Sequence, residues 1–146
     1  MTAPPSLTLH ASCVAVGLAG VHKGVLFTGP SGSGKSTLAM ALMAYGATLV
    51  ADDQTRLSVQ DGTLVATCPP TIKGMIEAWG MGLLNAEVCE AVTIGLVVDL
   101  GQAEGQRLPP LRNVTLLGCT LPLVLGQTSP HFPAALWHYV KAGRRE

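Results

Sequence analysis

Gly29-Pro30-Ser31-Gly32-Ser33-Gly34-Lys35-Ser36 fits G-x-x-x-x-G-K-[ST] without exception, and the reading of this stretch decides the fold. The residues before it, 24–28, read as a strand. The residues after it, 36–45, carry Leu38, Ala39, Leu42 and Met43 at helical spacing and stop at Gly46, a natural C-cap. Strand, glycine loop and helix form the setting in which such a loop holds phosphate. Its glycines let backbone N–H groups converge inward, and the helix N-terminus adds partial positive charge. Lys35 reaches the outer phosphates of a nucleotide such as ATP, and the Ser36 hydroxyl is offered to Mg²⁺. The expected nucleotide contacts are therefore Gly29, Pro30, Ser31, Gly32, Ser33, Gly34, Lys35, Ser36 and Thr37.

On either side of this unit the chain reads mainly as strands. The short apolar run 48–51 delivers Asp52 and Asp53 to the carboxyl edge of a sheet, beside the loop. A magnesium-coordinating acid and a catalytic base are both wanted there, and adjacent carboxylates repel unless a cation lies between them. Capping a turn is the plainer use of either acid. Upstream, residues 7–18 read as one strand entering a hairpin with 24–28. Downstream, 55–59 and 63–67 flank a turn at Asp61-Gly62, and Pro69-Pro70 opens a loop. Residues 94–100 form a buried strand, 114–117 and 121–125 two more, and 130–142 a closing helix. The fold class is α/β, with a central sheet, a P-loop helix and additional β-hairpins in a single domain over residues 1–146.

Composition narrows the function. Nine basic residues balance nine acidic ones, so no net positive field gathers nucleic acid or an anionic membrane. Charged residues make up 12% of the chain, half of the roughly 25% usual in soluble proteins, and association with further copies is the expectation. Cys13, Cys68, Cys89 and Cys119 include no C-x-x-C pair, which argues against a zinc site or a disulfide framework and for a reducing cytoplasmic setting. Met1 to Pro5 lacks a basic n-region leading into an apolar h-region, and residues 11–21 are too short and glycine-broken to span a bilayer. Asp99, at the end of an apolar run, reads as a turn cap ahead of a second magnesium ligand.

A third block completes a pattern: Gly74-Met-Ile-Glu77-Ala-Trp79-Gly80-Met-Gly82-Leu-Leu84 is similar to the signature E-x-R-G-x-G. With the loop and Leu49-Val-Ala-Asp52-Asp53, it makes the chain from about His10 to about Leu125 resemble the catalytic domain of HPr kinase/phosphorylase, in a shortened form without the N-terminal regulatory domain. The resemblance implies a P-loop kinase-type fold and ATP- and Mg²⁺-dependent phosphorylation of a serine on the phosphocarrier protein HPr. Many members of the family reverse that reaction by phosphorolysis, releasing pyrophosphate. It further implies phosphate contacts for Lys35, magnesium binding for Ser36 and Glu77, and general-base duty within Asp52-Asp53, with Asp53 favoured. His10 matches the family's histidine at a strand start, and the assembly implied is a hexamer.

Two departures set the alternatives. Trp79 stands where the signature has arginine, so an uncharged indole replaces a bidentate cation. The family has an arginine in a later loop, and Leu121-Pro-Leu-Val-Leu-Gly126 holds no counterpart, while Arg107 and Arg112, nearby in sequence, read as part of a solvated loop. Lys73, four residues before Glu77, could supply the missing charge, although a solvated lysine is its plainer reading. A nucleotide-binding sensor without phosphotransfer is one alternative. A small-metabolite kinase is another, disfavoured by the scarcity of arginine for a closing lid. The absence of N-K-x-D disfavours a GTPase.

Overall fold

The computed structural model describes residues 6–146, and Met1 to Pro5, on which the leader reading rests, lies outside them. Eleven strands and two helices follow one another along the described residues. The strands are β1 (Ser6–Leu9), β2 (Ser12–Leu18), β3 (Val21–Thr28), β4 (Thr48–Ala51), β5 (Thr55–Gln60), β6 (Thr63–Thr67), β7 (Met75–Ala78), β8 (Gly82–Asn85), β9 (Ala91–Ala103), β10 (Arg112–Leu116) and β11 (Cys119–Gly126). The helices are α1 (Lys35–Tyr45) and α2 (Phe132–Ala142), with a single 3-10 turn at Pro70–Ile72. Nine of the strands form one large curled mixed sheet, in the order β1-β5-β6-β9-β3-β2-β4, with β11 also on β9 and β10 on β11. β7 and β8 make a separate hairpin. Among the described residues no helix is long and apolar enough to cross a membrane.

Strand β9 organises the sheet because its thirteen residues are apolar on both faces over most of their length. It pairs antiparallel with β6 through Ala91 to Thr93, and parallel with β3 and β11 further on. Opposite β3 the register slips by one residue between Gly24 and Val25, and Gly95 is left without a partner. A one-residue bulge swaps the faces of a strand. Accordingly Val92 and Ile94 belong to one hydrophobic layer, whereas Leu96 and Val98 belong to the other.

The first layer lies under the helices. Val14, Val16, Val25 and Phe27 meet Leu38, Ala39 and Leu42 of α1 and the i, i+4, i+8 stripe Phe132, Leu136 and Val140 of α2. The second layer lies behind the sheet, where Cys13, Ala15, Leu26 and Val97 pack on Leu57, Leu64 and Ala66 of the β5–β6 hairpin. Each fully buried side chain of this size contributes about 1.5–3 kcal/mol. The sheet thus covers its own back with strands and its front with helices.

The expected single strand over 7–18 is two. The chain bends at His10, so that β1 leaves to pair with β5, Leu9 opposite Thr55, while β2 enters the sheet between β3 and β4. The return strand starts at Val21, earlier than expected, and the central strand runs from Ala91 to Ala103, beyond 94–100 on both sides. The β7–β8 hairpin was not among the expected elements. Because β3, β4, β9 and β11 are parallel, their carboxyl ends share one edge of the sheet. β2 runs the other way, so its beginning, after His10, lies at that edge too.

Candidate functional site

The loop between β3 and α1 is built on close backbone approach. A Cβ on Gly29 would meet the Ser33 hydroxyl at 2.8 Å, the Gly101 nitrogen at 3.0 Å and the Leu100 carbonyl carbon at 3.2 Å, so the loop can begin there only without a side chain. Ser33 N–H closes the first turn onto the Pro30 carbonyl at 3.1 Å. Gly34, with φ +102°, then turns the chain into α1 in a left-handed conformation, and no side chain caps the helix. Its amino-terminal N–H groups are left for an anion. Lys35 is 5% exposed, and its Nζ donates to the carbonyls of Gly29 and Pro30 at 2.8 and 2.9 Å, folded under the crest of the loop.

Adjacent in sequence, Asp52 and Asp53 sit in opposite environments. Asp52 is buried and accepts three hydrogen bonds: Ser12 Oγ at 2.8 Å and Ser36 Oγ at 2.6 Å on Oδ1, and the Glu77 backbone N–H at 3.0 Å on Oδ2. Asp53 has φ +70°, a left-handed conformation that aspartate tolerates better than most residues. Its side chain is 65% exposed and meets His10 Nε2 at 2.6 Å through Oδ1. Ser12 joins the two, since its Oγ also accepts the Asp53 backbone N–H at 3.3 Å. The bend that splits β1 from β2 is what carries His10 over to Asp53.

One cavity of ≈ 410 Å³ gathers most of the expected residues: Ser31, Gly32, Gly34, Lys35, Ser36 and Thr37 from the loop and helix, with His10, Asp53, Glu77 and Trp79 around them. Gly29, Pro30 and Ser33 do not line it. Ser33 instead faces neighbouring clefts with Leu100 and Gln127. Asp52 lies behind the wall, reaching the cavity only through Ser36 and the Glu77 backbone.

Ser12 is the residue that sequence reading missed, a fully buried hydroxyl bound to both acids. Its signal was a lone hydroxyl opening an otherwise apolar strand two residues after His10. Lys73 does not line the cavity and pairs with Glu90 instead. Arg112 is engaged by Glu104 through Nε and a terminal nitrogen at 3.2 and 3.1 Å, and this bidentate pair holds the Glu104 carboxyl below its usual range. Asp99 caps its turn, accepting from Gly101 N–H and Gln102 Nε2 at 2.8 Å each. All four cysteines are unpaired thiols, and burial pushes the Cys13 and Cys68 thiols above the ordinary range.

Among the described residues no three His, Cys, Asp or Glu side chains gather at metal-binding spacing. Magnesium needs no such cage, because it keeps waters and uses one or two carboxylates with substrate phosphates. Ser36 and Glu77, both lining the cavity, with Asp52 behind Ser36, fit that donor set.

Both the sequence and the fold have known relatives. The family described as HPr Serine kinase C-terminal domain matches residues 3–108. The HPr kinase/phosphorylase of Bordetella petrii is 36% identical over 139 residues, covering 86% of this chain and 44% of that protein. That of Clostridium kluyveri is 42% identical over 86 residues, covering 54% of this chain and 28% of the relative. The chain therefore spans less than half the length of these relatives. The solved Hpr(Ser) kinase/phosphatase of Coxiella burnetii superposes with a TM-score of 0.75 at 25% identity, covering 92% of this chain and 93% of that one. With the family pattern running through the loop, the paired acids and the Glu77 hairpin, this chain belongs to the HPr serine kinase C-terminal domain family.

Proposed function

We propose that the cavity binds ATP with magnesium and transfers the γ-phosphoryl group to a serine hydroxyl of an HPr-like phosphocarrier protein. The observation that carries this reading is the division of labour between the two acids beside Lys35: one buried and bound to Ser36, the other exposed in the cavity and bound to His10. Backbone N–H groups of the loop cradle the phosphates, and Lys35 supplies a point charge to the outer ones. Ser36 and Glu77 hold magnesium, with Asp52 fixing the Ser36 hydroxyl. When bound, the metal neutralises charge on the phosphate oxygens.

Asp53 accepts the proton from the serine hydroxyl as its oxygen attacks the γ-phosphorus in line. The bond to the β–γ bridging oxygen breaks, and ADP leaves with that electron pair. His10 orients the Asp53 carboxylate through the hydrogen bond at 2.6 Å. Such a base contributes about 10²–10⁴-fold.

The reverse reaction brings inorganic phosphate against phosphoserine, two anions in one site, and so calls for more positive charge than the forward one. Lys35 is the one lysine or arginine lining the cavity, and Trp79 adds none. Phosphorylase activity is accordingly the weaker direction, and Trp79→Arg raises it more than kinase activity. The same uncharged position supports a second reading, a nucleotide sensor without transfer. We further propose that the chain works in the cytoplasm as a homo-oligomer, a hexamer by family resemblance.

Transfer of labelled phosphate from ATP to HPr, with the serine-to-alanine variant of HPr as control, separates these readings. Label on HPr that disappears in the control supports the kinase. Tight magnesium-dependent ATP binding without label supports the sensor.

A further inference from the structure

The β7–β8 hairpin carries an apolar surface that the fold leaves uncovered. Trp79 is 97% exposed, Met81 77% and Leu83 69%, three large apolar side chains within five residues. The hairpin itself is firmly held. Its inner side chains, Ile76 and Leu84, pack on the helix-side core, and its turn closes through Met81 N–H on the Ala78 carbonyl at 3.0 Å. Register places Leu83 directly opposite Glu77, on the face that looks to the cavity, and Trp79 lines the cavity itself. The Glu77 N–H bond to Asp52 ties this surface to the acids. An apolar patch on an ordered element beside a reaction site is a recognition surface.

We propose that the Trp79–Met81–Leu83 face is the docking platform for the phosphoacceptor, and that it takes an apolar, non-acidic polypeptide segment on which the reacting serine is carried. The proposal rests on the kinase reading above and adds where the acceptor binds. Three features select this occupant. The platform begins at Trp79 on the cavity wall and continues outside it through Met81 and Leu83, so a polypeptide whose serine reaches Asp53 has this apolar surface beside it, whereas a small metabolite held inside would leave Met81 and Leu83 untouched. The exposed carboxylates at the cavity are Asp53 and Glu77, while Lys35 is buried, so an acidic segment is repelled. The platform offers an exposed tryptophan, the residue type most often found to anchor a protein partner.

The test uses the full chain, ATP and purified HPr, with the double variant Met81→Ser/Leu83→Ser and the single variant Trp79→Ala. Thermal melting verifies folding, sedimentation gives assembly state, and calorimetry gives HPr binding. The expected result is a rise in KM for HPr of at least about tenfold in the double variant, with KM for ATP unchanged, and weaker HPr binding in both variants. A wild-type chain that binds HPr through this face yet transfers no phosphate would overturn the kinase reading and leave the platform standing. An unchanged KM for HPr alongside active transfer would overturn the platform and leave the kinase. Loss of assembly in the variants without loss of HPr binding would assign the face to a second copy of the chain and overturn the proposal. So would the absence of any HPr binding by the wild-type chain.

Discussion

Replacing each of the paired acids by asparagine separates stability from chemistry. In Asp52→Asn the amide keeps one carbonyl oxygen, which is best spent on the fixed Glu77 N–H, leaving the NH₂ to face the Ser12 and Ser36 hydroxyls. Both hydroxyls must then turn to accept, and Ser12 already accepts the Asp53 N–H. Two charge-assisted hydrogen bonds become neutral ones, at about 1 kcal/mol each, and the third loses its charge assistance as well. A total near 2–3 kcal/mol lowers the melting temperature of a domain this size by roughly 5–10 °C. Asp53→Asn loses only an exposed contact to His10, worth at most about 1 kcal/mol, and asparagine suits the left-handed backbone at φ +70°. It should melt within a few degrees of the parent and bind ATP normally, while transfer falls about a hundredfold or more. Calorimetric melting and phosphate incorporation on the two variants decide the matter. If Asp52→Asn melts like the parent and abolishes transfer, while Asp53→Asn transfers normally, the two roles are reversed.

Lys35→Ala should abolish transfer with the hydrophobic layers intact, since Nζ bonds loop carbonyls and the residue belongs to neither layer; unchanged ATP affinity and turnover would refute the loop assignment. Gly24→Ala places a methyl 2.8 Å from Val92 Cγ1 and 2.9 Å from the Thr93 carbonyl oxygen, where backbone cannot yield, and should cost about 1–3 kcal/mol in denaturant titration. The Glu104 carboxyl is held low by Arg112, so the folded state binds its proton less readily than the unfolded chain does. Its contribution is present above the unfolded value near pH 4 and fades as pH falls through the lower folded value. Glu104→Gln should therefore melt lower at neutral pH and show a shallower acid slope, read as melting temperature from pH 7 to 3.

Legibility in the sequence followed the range of the interactions. Helix α1 was expected over 36–45 and runs Lys35–Tyr45, because its caps, Gly34 and Gly46, are local signals. The apolar runs around residues 48–51, 63–67 and 121–125 became strands for the same reason. The bend at His10 has no glycine or proline to announce it. It exists because β2 is claimed by β3 and β4 while β1 is claimed by β5, and the partners β4 and β5 lie far along the chain from the bend. The β7–β8 hairpin was hidden by its composition, since Trp79, Met81 and Leu83 are apolar at outward positions and obscure the alternation expected of a strand. The cavity residues were legible as types, but which of the two acids turns inward depends on Ser12, forty positions upstream of Asp52.

The bulge at Gly95 also bears on how the molecule comes apart. A single strand, β9, sends Val92, Ile94 and Val97 to the layer behind the sheet and Leu96 and Val98 to the layer under the helices. Neither layer can open without pulling on the other's strand, so the fold has no seam along which to unzip. Amide hydrogens of β9 should exchange only through global unfolding, with those of β3 alongside, whereas the β10 edge and the β7–β8 tip exchange through local fraying. Denaturation watched at Trp137 on α2 and by far-ultraviolet dichroism, which is weighted here toward the strands, should then report one coincident transition.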